Sequence, residues 1–224
     1  MRATSSRYTA PGCKVVKPGA VIYLYTPDIE ATARQLPGAE LIRTEWGERK
    51  LELSDPNGYT ISYWTESDLT DEQQLALFAS ASDRLEEALA GLTEAQLDLT
   101  RAPGKWSIRQ IVHHMADSAP GAVAGLRYPI AEPGRLYRAN PYDPDVWDAG
   151  LGSDRRPIQP SVALFLAVHE HLLQLIEHVP GALDGYTVNE AGSRNTVRRM
   201  VGMLGAHAAG HVEQIWMTRR THGV

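Results

Sequence analysis

Two periodicities divide the chain. Up to about residue 66 the apolar residues form short β-branched and aromatic blocks or alternate with polar ones, the pattern of strands. From about residue 67 they recur at three- and four-residue steps, the pattern of amphipathic helices. Within the first region, Val21-Ile22-Tyr23-Leu24-Tyr25 predicts a strand. Asp28 is placed to cap a short helix reaching about Gln35, which Pro37-Gly38 ends. Residues 40–46 predict a second strand. Arg49-Lys50-Leu51-Glu52-Leu53 alternates and predicts a half-buried third. The turn signal Asp55-Pro56-Asn57-Gly58 separates it from a fourth strand over 59–65. The order is βαβββ, and residues 1–19, without periodicity, predict an irregular arm.

The helical region opens with Thr70-Asp71-Glu72-Gln73. This is a capping box, in which the Thr and Gln side chains satisfy each other's backbone N–H groups. Leu75, Phe78, Ala79, Ser82, Leu85 and Leu89 then form the stripe of one first helix, stopped by Gly91. A second capping box, Thr93 to Gln96, opens a single turn, and a third, Ser107 to Gln110, opens a second long helix. A third helix is predicted over 161–179 and a last one from about Asn195 to Arg220, with a loop between them. Residues 129–160 are rich in Pro, Gly, Asp, Arg and Tyr. A connection of that length inside a compact domain is usually functional, so it is expected to cross the bundle's open end and line a pocket. The fold class is α+β: a βαβββ module over 1–66, then an up-down four-helix bundle over 67–224, whose core is a usual place for a metal site.

Composition narrows the function. The 224 residues are 43% hydrophobic and 22% charged, an ordinary globular balance long enough to bury a core. A net charge of −5 gives no reason to expect nucleic acid. One cysteine, Cys13, excludes a disulfide framework and a cysteine metal site. No apolar run approaches membrane-spanning length, and the N-terminus lacks the apolar core of a secretory signal, so a cytoplasmic protein without membrane partners is expected.

The candidate chemistry lies in the histidines. The last helix carries an apolar stripe, Val197, Met200, Val201 and Leu204, that continues in phase to His207 and His211. Residues four apart share a helix face with Cβ atoms about 5–6 Å apart. Buried imidazoles need partners for their nitrogens. A metal ion held by both is one solution, and a hydrogen-bonded core pair is the other. On the second helix His114 lies three residues past Ile111 and shares its apolar face. His113, turned by about 100°, is expected at the edge. Asp117 stands one turn beyond, within reach as an orienting group. Of His169, His171 and His178 only His171 falls near the third helix's stripe, and none is expected to bind metal.

Two resemblances add to this reading. The βαβββ order with Ser54-Asp55-Pro56-Asn57-Gly58 resembles, over about 45 residues, one module of the glyoxalase/vicinal-oxygen-chelate superfamily. The positions where that family commonly carries metal ligands hold Val21 and Ser62, so the resemblance implies no metal here. Such modules normally pair, which implies a pairing element or a wall over the second domain's site. The stretch Trp106-Ser107-Ile108-Arg109-Gln110-Ile111-Val112-His113-His114-Met115-Ala116-Asp117-Ser118 resembles the second-helix motif of the DinB-like superfamily, in its YfiT-like branch. Pro141-Tyr142-Asp143 with Trp147 resembles that branch's loop, and His207-x-x-x-His211 its last-helix pair. This resemblance spans about 155 residues. It implies a four-helix bundle holding a divalent metal by three histidines, at positions His114, His207 and His211. Where the branch often carries a further histidine, this chain has Ala119 and Pro120.

Three histidines leave a tetrahedral zinc one open position, the pattern of a catalytic site; nickel is the other metal considered. The position can take water, whose pKa falls towards neutrality, or a thiol, which loses its proton. The resemblance implies S-transferases and isomerases that use low-molecular-weight thiols such as bacillithiol or mycothiol, and metal-dependent hydrolases. The expected function is thus S-transfer with a small thiol and an electrophile. Hydrolysis of a small substrate ranks second, and a non-catalytic metal-binding stress or interaction protein third. Arg109, Arg127, Arg135, Arg138, Arg155 and Arg156 are available near the loop for an anionic or sugar-bearing thiol. A lone module leaves a sheet edge or face uncovered, to be covered by a second chain or packed on the bundle, and of the two a homodimer is expected.

Overall fold

The computed structural model describes residues 21–56 and 58–224, and the chain divides into two compact units, Met1–Ser67 and Asp68–Val224. The expected irregular arm, Cys13 and Asn57 of the turn lie outside the described residues.

The first unit contains β1 (Val21–Tyr25), α1 (Ile29–Gln35), β2 (Glu40–Arg43), β3 (Arg49–Ser54) and β4 (Thr60–Trp64). The sheet order is β1-β4-β3-β2. β1 runs parallel to β4 with Tyr23 opposite Ser62, while β4, β3 and β2 pair antiparallel. Asp28 caps α1 by accepting from the Ala31 N–H at 2.8 Å. Ile29 of α1 and Leu51 of β3 are buried where the helix packs on the sheet. All five residues of β1, Val21 among them, are exposed, whereas Ser62 is fully buried in mid-sheet.

The second unit contains α2 (Asp71–Ala79), α3 (Ala81–Leu89), α4 (Ile108–Ala131), β5 (Arg135–Leu136), α5 (Pro144–Leu151), α6 (Gln159–His178), β6 (Tyr186–Val188), β7 (Arg194–Thr196) and α7 (Val197–His222). The capping boxes at Thr70 and Ser107 form, and the Thr93 N–H donates to Gln96 Oε1 at 2.8 Å, opening a 3-10 turn. The single first helix expected from the stripe is divided at Ser80. Its hydroxyl donates to the Leu77 carbonyl at 3.2 Å, a local bond that competes with the helical ladder. The connection after α4 is not irregular throughout. Asp143 accepts from the Asp145 and Val146 N–H groups and, with Pro144 in the first turn, nucleates α5. The predicted loop before α7 supplies β6 and β7, which join β5 in a three-stranded sheet.

The helix directions also differ from an up-down bundle. His113 of α4 meets Ser161 of α6 near the start of both helices, so these two neighbours run parallel. Phe78 of α2 lies against Gly205 of α7, and Arg219 donates to the Ala88 carbonyl of α3 at 2.9 Å, so the first and last helices also run parallel. Gly125 of α4 faces Met200, and His114 faces His211, so α4 and α7 are antiparallel. The order is up, down, down, up. A 24-residue helix is about 36 Å long at 1.5 Å per residue. The chain leaving α4 must return over that whole length before α6 can start beside it, which accounts for the long connection. Its return brings α5 to the N-terminal end of α4.

Buried side chains form two clusters along the bundle. Leu85, Ile108, Ile111, Met115, Phe165 and Ile215 fill one end. Phe78, Leu126, Leu172, Val197 and Val201 fill the other. Among the described residues no helix is long and apolar enough to cross a membrane.

Candidate metal centre

The capping box at Ser107 fixes where α4 begins, and hence the direction in which His114 leaves the helix two turns later. Thr196 likewise starts α7 by accepting from the Arg199 N–H at 3.2 Å, and the helical phase then carries His207 and His211 to the face that meets α4. The structure brings the three together. His207 Nε2 lies 3.2 Å from His114 Nε2 and 3.2 Å from His211 Nε2, and ligand atoms of all three fall within 4.8 Å of one another. Zinc–nitrogen bonds of 2.0–2.1 Å in tetrahedral geometry hold their nitrogens about 3.3–3.4 Å apart. The donor set therefore fits a divalent cation. Nitrogens gathered this closely otherwise turn lone pairs on one another unless a proton lies between each pair.

Electrostatics favours the same state. Burial holds His114 below the ordinary imidazole value. Burial, with His114 nearby, lowers His207 to about 4, and burial with both neighbours lowers His211 to about 2. All three are neutral at neutral pH, the form in which imidazole ligates metal. His211 Nδ1 faces Gln214 Oε1 at 3.3 Å. Donating there places the proton on Nδ1 and leaves the Nε2 lone pair for a metal.

An aromatic and polar surround encloses the cluster. The Trp106 ring lies 4.9 Å from His114 and 6.4 Å from His211, and its Nε1 donates to Asp145 Oδ1 at 3.0 Å, tying α5 to the site. Tyr142 stands 6.3 Å from His114, ring to ring, and stacks on Trp147 at 4.1 Å. Gln110 Nε2 donates to Asp148 Oδ2 at 2.6 Å. A narrow cleft opens between α4 and the returning connection, lined by Gln110, His114, Asp117, Tyr142, Trp147 and Asp148. The long connection thus forms one wall of the candidate site.

Several sequence expectations change here. His113 is not at an edge. It is buried, with Nδ1 2.8 Å from Ser161 Oγ and Nε2 3.2 Å from the Arg156 carbonyl oxygen, because α6 covers the face 100° from His114. Asp117 hydrogen-bonds none of the three histidines; it lines the cleft, where burial pushes its carboxyl upward. His171 is exposed, and His169 is the buried histidine of α6, packed against Phe78 and Phe165 and lowered by burial to about 4. Arg109 is no ligand for a thiol: it is buried and held by Asp98 at 2.6 Å and Glu94 at 3.1 Å. Arg135, Arg138 and Arg155 pair with Glu132, Glu190 and Asp154, Arg156 donates to Ser153 Oγ, and Arg127 is exposed. The roles of Gln110, Asp148 and Gln214 were missed. Gln214 carried a signal, three residues past His211 on the same helix; Asp148 carried none.

Comparison with known proteins adds a family. The model of the DinB superfamily matches residues 77–215. A protein of Geobacillus thermodenitrificans is 25% identical over 154 residues, covering 68% of this chain and 85% of its own. YfiT of Bacillus subtilis is 25% identical over 142 residues, covering 62% and 79%. Both carry the name "Putative metal-dependent hydrolase". Among solved structures, Bacillus subtilis YfiT, described as having an unusual four-helix bundle topology, is similar with a TM-score of 0.60 at 22% identity, over 70% of this chain and 90% of its own. A mycothiol-dependent maleylpyruvate isomerase is similar with a TM-score of 0.52 at 13% identity, over 66% and 61%.

Proposed function

The chain belongs to the DinB superfamily, and from that premise we propose that it is a metal-dependent S-transferase acting on a small thiol. The observation that carries the reading is the set of three neutral imidazoles, His114, His207 and His211, converging beside a cleft. A divalent ion held by these three residues would lower the pKa of a coordinated thiol or water and so supply a nucleophile at neutral pH.

The chain's own residues do the rest. Gln214 fixes the His211 tautomer. Trp106 and the Tyr142–Trp147 pair screen the histidines from bulk water, which strengthens charge interactions inside the cleft. Asp117 faces the same space, and its raised pKa suits it to take up or return a proton during transfer. The name carried by the curated relatives favours a second reading, hydrolysis by activated water in the same cleft. The N-terminal unit, in this proposal, is a glyoxalase-like pairing module without a metal role.

The test is a panel on zinc-loaded protein, with small thiols and an alkylating or epoxide electrophile in one arm and ester or amide hydrolysis in the other. Thiol-dependent consumption of the electrophile, lost in His114→Ala, is expected. Turnover confined to the hydrolysis arm would replace the transferase reading with the second one.

A further inference from the structure

The cleft wall that comes from the long connection carries polar atoms with nothing to do inside the protein. The Tyr142 hydroxyl and Asp148 Oδ1 are both screened from solvent, and neither has a hydrogen-bond partner. Screened polar groups left unpaired are costly, so such groups facing a cleft are commonly completed by what binds there. Their orientation is set. Tyr142 is stacked on Trp147, and the Gln110 amide holds Asp148 Oδ2, leaving Oδ1 unpaired on a residue that lines the cleft. Asp117 lines the same space.

The charge of this wall decides the kind of group it fits. Two carboxylates and a phenol oxygen accept hydrogen bonds, and no lysine or arginine lines the cleft among the described residues. Arg156, beside the cleft, donates to Ser153 Oγ at 3.4 Å, while its Nε is screened and without a partner. Two carboxylates outnumber this one cation, so a carboxylate or phosphate entering here would meet net like charge. A protonated amine would satisfy the acceptors and offset their charge.

We propose that Tyr142 and Asp148, with Asp117 beside them, form a recognition wall that positions a small thiol through a protonated amine on its chain. This rests on the thiol reading above and names the substrate class within it. Tyr142 and Asp148 act as positioning residues: the amine engages the wall while the sulfur is directed towards His114.

The test uses full-length protein loaded with cobalt and titrated with cysteamine, ethanethiol and 3-mercaptopropionate, read by the sulfur-to-cobalt charge-transfer band. Cysteamine is expected to bind at least about tenfold more tightly than 3-mercaptopropionate, a factor equivalent to about 1.4 kcal/mol. Asp148→Asn should reduce the cysteamine-to-ethanethiol affinity ratio severalfold. Because that ratio is compared between proteins, the thiols' own acidities cancel. Tyr142→Phe keeps the stack on Trp147, leaves the Gln110–Asp148 bond untouched and should lower the same ratio. Bands of equal affinity for all three thiols, or a ratio unmoved in both variants, would overturn the amine wall and leave the thiol reading standing. Absence of a band with any thiol would overturn both.

Discussion

At the scale of single residues, helical phase decided most of the site, and its limit is instructive. His207 and His211 could be placed on one face because the stripe ahead of them was continuous, and His114 because Ile111 precedes it by three. His113 was misplaced because a stripe reveals one packed face, whereas α4 has two neighbours. His113 is held on the side of α6 by hydrogen bonds to Ser161 and to the Arg156 carbonyl, which an apolar stripe does not mark. The buried imidazoles also make a pH prediction. In the folded chain His207 and His169 titrate at about 4 and His211 at about 2, against 6.5 when unfolded. Between pH 6.5 and 4 the unfolded chain therefore binds more protons than the folded one, and stability must fall as pH falls through that window. Thermal melts of chelator-treated protein should show a Tm that is level above about pH 6.5 and drops towards pH 4, with a shallower drop in His169→Phe. A flat profile between those values would contradict neutral burial.

At the scale of elements, the boundaries marked by capping boxes were legible, since each is a local exchange of hydrogen bonds within four residues. The division at Ser80 was not, because the apolar stripe runs across it unbroken while the serine hydroxyl acts on the backbone. Strands β5, β6 and β7 are two or three residues long, too short to show a period. Close packing between elements is visible at Gly205. A Cβ there would sit 3.0 Å from the Phe78 backbone nitrogen and 3.3 Å from its Cα, so α2 and α7 approach through this glycine. Gly205→Ala should destabilise by about 1–3 kcal/mol through overpacking, despite a helix-propensity gain of about 1 kcal/mol. Gly121→Ala, on α4 with nothing within 4 Å of the added atom, should keep that gain. Denaturant titrations of the pair check both signs; a stabilised Gly205→Ala would show that the contact yields.

At the scale of the whole molecule, the long helices α4, α6 and α7 and the presence of a strand-rich first unit were legible, but the split first helix, α5 and the ring order were not. Stripes say which face is buried and nothing about which helix covers it. The one clue to parallel neighbours is the length of the connection after α4. The first unit makes a prediction of its own. Among the described residues β1 lies at the edge of the sheet, and its Val21, Ile22, Tyr23, Leu24 and Tyr25 are all exposed and uncharged, a surface that proteins usually cover or protect with charge. Light scattering at micromolar concentration should give the mass of a dimer, and Tyr23→Lys with Leu24→Lys should shift it to a monomer; a wild-type monomer would contradict pairing through β1.

The three-histidine centre itself is tested most directly by the metal bound per chain after loading with zinc and removal of excess, compared in wild type, His114→Ala and His113→Ala. In this account His114 would complete the ligand set from a second helix, while His113 is occupied with Ser161 and the Arg156 carbonyl. The account predicts about one zinc per wild-type chain, retention in His113→Ala at reduced thermal stability, and loss in His114→Ala with helicity unchanged. Retention of zinc by His114→Ala, or its loss from His113→Ala alone, would contradict the account.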